Sequence, residues 1–369
     1  MVLNLKKIIY YLFIITFFFL SFTDAFFVSK GVNSFIDDIK YLFLIVLLLV
    51  CILYIRINNK RIDNKYFILI KYIGIFIVLV AIMSFISSFI VGKFTTNSMG
   101  EIIILLLSVL SAYLILSTLE PEKIYYAMFI TLIFSFIFYI LSIGISEFFE
   151  IQNYLEISFI NSYSIFESHY FCGLSYAMFL YFYLNSRKKF PLILSFIYTF
   201  LTFKRIFVIT SILLLIFYPI VKKKKSISFN TRVCFSFIFF VSTISYYLLL
   251  IHGDNFIYSL TGEKLYELTM SRNIFLDKLI NLNYVSYGFG SSTNFLGKSI
   301  EMDLIKIYIE LGGIMLFLFC YLYSSICKSK VSLIFLICIF INLLFSHSLG
   351  SPFIWMIYFI VILTANEMR

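Results

Sequence analysis

Residues 66–91 read YFILIKYIGIFIVLVAIMSFISSFIV, an apolar run whose only charge is Lys71. A helix over such a run satisfies its own backbone groups, which is what a hydrocarbon core of about 30 Å demands of about 20 apolar residues. Comparable runs predict helices near residues 8–22, 39–57, 100–119, 124–146, 169–185, 190–203, 206–221, 232–251, 303–323, 331–346 and 352–366. Composition points the same way. The 369 residues are 62% hydrophobic and 13% charged with mean hydropathy +1.01, whereas a soluble domain is about 25% charged. The expected fold class is an all-α polytopic membrane protein of about 12 transmembrane helices, forming a single integral membrane domain over residues 1–369. A Lys204–Arg205 break splits the run 190–221, which reads as two short helices or as a re-entrant hairpin.

Short cytoplasmic loops collect Lys and Arg, so the cations orient the helices. With the N-terminus inside, the inner segments hold Lys6, Lys7, Arg56, Lys60, Arg61, Lys65, Lys123, Arg187, Lys188, Lys189, Lys222 to Lys225, Arg232, Lys328, Lys330 and Arg369. The outer set is Lys30, Lys40, Lys93, Lys204, Arg205, Lys264, Arg272, Lys278, Lys298 and Lys306, spread over longer polar loops. Both termini are expected in the cytoplasm and the chain in the cytoplasmic (inner) membrane. The +10 net charge then reads as topology and contact with the lipid bilayer, not as a nucleic-acid footprint. Lys6-Lys7 followed by IIYYLFIITFFFLSF looks like a signal sequence without an A-x-A cleavage site, and is expected to stay as the first helix. The six cysteines, Cys51, Cys172, Cys234, Cys320, Cys327 and Cys338, show no C-x-x-C spacing and read as packing residues. No metal or cofactor is implied.

Two outer loops carry the polar material, residues 147–168 and 252–302, the second preceding the last three helices. In the second, Thr261 is the expected start of an amphipathic helix on the membrane surface, its apolar face formed by Leu265, Leu268, Ile274, Phe275 and Leu279. A wet island follows at 287–313, YGFGSSTNFLGKSIEMDLIKIYIELGG, a glycine-rich bend leading into a helix. Ionisable groups at the membrane boundary are functional candidates by default. Arg205 and Lys204 can bind phosphate, and Arg272 can add a second contact. His169, His252 and His347 all fall at outer helix ends, where an imidazole can accept a proton. Glu167 lies two residues from His169, and Glu101 reads as interfacial.

The string GFGSSTNFLGKSIEMDLIKIYIELGGIMLFLF resembles the segment closing the long extracytoplasmic loop of Wzy-type O-antigen and capsular polysaccharide polymerases. The resemblance rests on Gly288, Gly290, Ser291, Asn294, Asp303, Glu310, Gly312 and Gly313. LTFKRIFVI is similar to the family's short helix-break motif, with Arg205 at the matching position and Lys204 where a Ser often stands. ESHYFCGL is a looser echo. The related O-antigen ligases carry a His just before the corresponding helix, and here no His lies between His252 and His347.

The resemblance implies an inverting transfer between polyprenyl-diphosphate-linked oligosaccharides on the outer face of the membrane. It assigns Arg205, Lys204 and Arg272 to the departing diphosphate. His169 is the expected proton acceptor, with Asp303 or Glu167 second. Gly288, Gly290 and Asn294 would line the substrate. A chain-length regulator and a flippase are the implied protein partners. A lipid-linked oligosaccharide flippase and a polysaccharide ligase are the alternatives.

Overall fold

The computed structural model describes residues 4–28, 35–58, 65–157, 164–186, 188–221, 226–269 and 271–367. Lys30, Lys60, Arg61, Arg187, Lys222 to Lys225 and Arg369 lie outside them, as does the side chain of His169. The helices begin with α1 Leu5–Phe26, α2 Ile39–Ile57, α3 Phe67–Val91, α4 Thr96–Thr118 and α5 Pro121–Ile143. Next come α6 Ile145–Phe149, α7 Ile151–Leu155, α8 His169–Leu184, α9 Lys189–Leu201 and α10 Arg205–Val221. Then follow α11 Phe229–His252, α12 Asp254–Thr261, α13 Leu265–Leu268, α14 Arg272–Asn281 and α15 Ser291–Leu296. The last three are α16 Asp303–Ile326, α17 Lys330–Phe345 and α18 Pro352–Glu367.

Seven of these, α1 to α5, α11 and α16, are long and apolar enough to cross a membrane. Five shorter apolar helices, α8, α9, α10, α17 and α18, pack among them. The chain is therefore a polytopic helical membrane protein. Local chemistry sets the helix ends: Pro121 opens α5 where its missing N–H is not needed, and Ser329 and Ser332 close a reciprocal cap at the start of α17. The expected break at Lys204–Arg205 is real. Phe203 takes a left-handed conformation between α9 and α10.

A helix that is apolar on every side belongs in a core. Helix α18 is that helix, packed against α4, α8 and α17 and buried along nearly its whole length. Trp355, in its first turn, is 0% exposed and meets the rings of Tyr323, Tyr358 and Phe359. The bundle has two distinct ends. At one, Lys6 pairs with Glu120 at 2.9 Å, Lys65 with Glu367 at 3.0 Å, and the Lys328 N–H donates to Asn366 at 2.7 Å. The island and the long loop lie at the other.

That loop departs from the expected single amphipathic helix. Thr261 ends α12 instead of starting a helix, because Gly262 beyond it takes the left-handed cap conformation. Ser271 is left-handed too, and a new helix, α14, begins at Arg272. Its buried face is Arg272, Leu276 and Leu279, not Ile274 and Phe275. Leu276 and Leu279 join Leu250, Ile300, Met302 and Ile305 in a small second core, so this face is covered by α11 and α16 instead of lying on a membrane surface.

Two substitutions test the burial of α18 in the core. Trp355→Ala should cost about 3–5 kcal/mol and lower the thermal unfolding midpoint in detergent by many degrees. Phe89→Ala, at a position 75% exposed at the end of α3, should leave it unchanged.

Candidate functional site

Asp303, Lys306 and Glu310 recur at helical spacing, so α16 presents all three on one face. All three are buried, and each recruits a different segment. Glu310 accepts hydrogen bonds from the Gly290 N–H at 2.8 Å and the Ser292 N–H at 2.9 Å, and from the Ser292 hydroxyl. Lys306 Nζ donates to both oxygens of Glu101 on α4, each at 2.6 Å, and Thr293 reaches the same carboxylate at 3.3 Å. Glu101 is therefore a partner inside the fold, not a bare interfacial charge. Lys306, counted above with the outer loops, sits a turn inside α16.

The glycine bend is shaped by this anchoring. A Cβ at Gly288, whose φ is +118°, would lie 2.8 Å from the Ser84 Cα, so only glycine lets the bend press onto α3. Ser84 accepts from the Phe289 N–H at 3.0 Å and Ser88 donates to the Tyr287 carbonyl at 2.6 Å. The close approach that Gly288 and Gly290 permit is thus to α3 at Ser84 and to α4 at Glu101 and Ser98. Asn294 donates to the Tyr287 hydroxyl at 2.7 Å, within the same bend.

Asp303 is 0% exposed and both its oxygens are engaged. Oδ2 accepts from the Ser348 and Leu349 N–H groups, each at 2.7 Å, and Oδ1 lies 2.6 Å from His347 Nδ1. This contact fixes the imidazole by one nitrogen and turns Nε2 away from the carboxylate, in the relation a general base has to its orienting acid. His347 is 27% exposed in the turn between α17 and α18. Burial pulls its pKa down, but the adjacent Asp303 charge and hydrogen bond outweigh that, and it lies above the ordinary value of 6.5. Asp303 therefore orients an imidazole rather than standing as a solitary carboxylate.

Three cations gather at this end. Lys204 forms an ion pair with Glu167, both largely buried, so Glu167 is matched to Lys204. Arg205, half-buried at the start of α10, feels the charges of Glu167 and Arg272. Arg272 is 7% exposed, reaching Glu301 at 3.5 Å and the Thr269 carbonyl at 3.3 Å. Its Nε–H, also buried, has no hydrogen-bond acceptor among the described residues. Asn342 donates to Thr210 at 3.4 Å between α17 and α10. Beyond that contact, toward this end, Arg205 opens α10 and His347 lies just past the last residue of α17 in the turn to α18.

Arg205, Lys204, Arg272 and Asp303, expected from the sequence as site residues, lie at this end. The side chain of His169, the expected proton acceptor, lies outside the described residues. The pairing of His347 with Asp303 had no local sequence signal. The spacing of Asp303, Lys306 and Glu310 was the signal available for the buried face of α16. In comparisons with known proteins, no family model, no curated protein and no solved structure matches the chain.

A pKa raised by folding stabilises the fold below the unfolded value and loses that contribution as pH rises through the folded one. The unfolding midpoint should therefore fall as pH rises above 6.5. In a His347→Gln variant, measured by the same thermal scan, that fall should be absent.

Proposed function

We propose that this chain polymerises polyprenyl-diphosphate-linked oligosaccharide repeat units into surface polysaccharide on the outer face of the cytoplasmic membrane. In this reading the apolar helices make twelve crossings, with both termini in the cytoplasm and the end bearing Lys6, Lys65 and Lys328 facing inward. The observation that carries it is an oriented imidazole, His347 on Asp303, at the same end of the bundle as the neighbouring Arg205 and Arg272. A departing diphosphate needs positive charge where negative charge develops, and a buried guanidinium N–H lacking an acceptor is a donor suited to that anion.

The chemistry follows. His347 Nε2 takes the proton of an acceptor sugar hydroxyl, and the imidazolium that forms is stabilised by Asp303. The hydroxyl oxygen bonds to the anomeric carbon of the growing chain from the face opposite the diphosphate. The bond to the lipid diphosphate breaks, and its electron pair leaves with the phosphate oxygen facing Arg205 and Arg272. Lys204, already matched by Glu167, holds the α9–α10 turn that presents Arg205. A chain-length regulator and a flippase remain the partners this reading expects. The flippase reading of the chain itself would draw on Lys306 and Glu310, yet both charges are taken up in anchoring the glycine bend.

Arg205→Ala and Arg205→Lys, blotted for normal insertion, are to be compared by surface polymer length in a strain lacking the native gene. Arg205→Ala should accumulate single repeat units, and His347→Ala should slow polymerisation by about 10²–10⁴-fold. Long polymer with Arg205→Ala would refute the role of Arg205. Failure of single units to reach the outer face in the null strain would point to a transporter instead.

A further inference from the structure

A cavity of about 540 Å³ lies beside the island where α16 is interrupted. Gly312 there has φ 86° and ψ 172°, a conformation open essentially only to glycine. An interrupted helix leaves carbonyls of the preceding turn without their usual donors. One of them, the Glu310 carbonyl, accepts from the Ser286 hydroxyl at 2.6 Å, so the break is tied to the island.

The walls are of mixed chemistry. Tyr247 of α11 and Tyr308 of α16 meet edge to face at 5.2 Å, and Tyr284 adds a third ring. Asn283, exposed and left-handed, and Ser286 supply an amide and a hydroxyl, while Leu276 and Leu279 of α14 close the apolar side. Among the described residues no lysine or arginine lines it, which disfavours a phosphate as the occupant. An alkyl chain alone would leave the amide and hydroxyls without partners. Aromatic faces combined with an amide and hydroxyls suit a sugar, whose rings present both C–H faces and hydroxyl groups. The volume falls within the roughly 300–1,000 Å³ of small-ligand sites.

We infer that this cavity binds the sugar residues nearest the diphosphate of a lipid-linked glycan, an inference that rests on the polymerase reading above. Helix α14 supplies the ruler. Arg272 begins it, and Leu276, Leu279 and Ile280 line the cavity one to two turns on, about 6–12 Å along the axis. A diphosphate at Arg272 therefore directs its first sugars into the cavity. The cavity also borders an uncovered side of α16: Ile314, next to Gly313 in its wall, is 80% exposed.

The test separates this inference from the reading it rests on. Purified full-length protein in nanodiscs is titrated with the lipid-free repeat-unit oligosaccharide released from the source cells by mild acid, with binding read by native mass spectrometry. Wild type, Arg205→Ala and Tyr308→Phe should bind it, whereas Asn283→Ala and Tyr308→Leu should bind at least about tenfold more weakly, a change of about 1.4 kcal/mol. Unchanged unfolding midpoints show that the variants fold. Equal binding by all the variants, or none by wild type, overturns the cavity assignment even if wild type polymerises. Selective loss in the cavity variants, with no polymer made by wild type, upholds the sugar site and sinks the polymerase.

Discussion

Glu310 is 3% exposed, within a span, and both its oxygens are occupied by the N–H groups of Gly290 and Ser292 and the Ser292 hydroxyl. A carboxylate removed from water is costly by several kcal/mol unless such donors replace the lost hydration. The donors here come from a loop that would otherwise have to satisfy its own backbone at the membrane boundary. Each solves the other's problem. The loop gains an acceptor for two amides, the charge gains a shell, and the glycine bend is fixed against α3 and α4. The position of Thr293, the Lys306–Glu101 pair and the shape of the cavity beside the break in α16 all follow from that exchange.

About two turns toward the helix start, Asp303 repeats the arrangement on another partner. Its carboxylate holds the turn between α17 and α18 by two backbone amides and the His347 ring by a third contact. The same helix face thus organises two segments at once, one built for packing and one that presents an imidazole in the α17–α18 turn. Buried polar groups of this kind are demanding, because removing one partner leaves the others exposed to the full desolvation penalty. Rigidity at this end is the expected result.

Most of the helices were legible because a membrane span has few alternatives. The apolar runs had to be helical, and the length of each was bounded by the bilayer. The break at Lys204–Arg205 was legible because two adjacent charges interrupt an apolar run, and the glycine bend because its composition has no place in a span. The long loop was misread at Ser271, since serine in a left-handed conformation leaves no mark on the sequence and the periodicity of Leu265, Leu268 and Ile274 runs straight through it. The Asp303–His347 pair joins positions 44 residues apart and depends on how α16 and α17 return to one end. Only the fold brings them together.

The burial of α18 has a consequence for biogenesis. A chain emerging from the ribosome presents α4 and α8 to the membrane long before α18 exists, yet α18 occupies the space between them. The earlier helices must therefore wait with a central groove filled only by lipid or by loose mutual contacts. Insertion of α18 then displaces that filling and draws these helices together. A chain that stalls before α18 leaves an open assembly in which the surfaces of α4 and α8 that α18 covers face the bilayer instead.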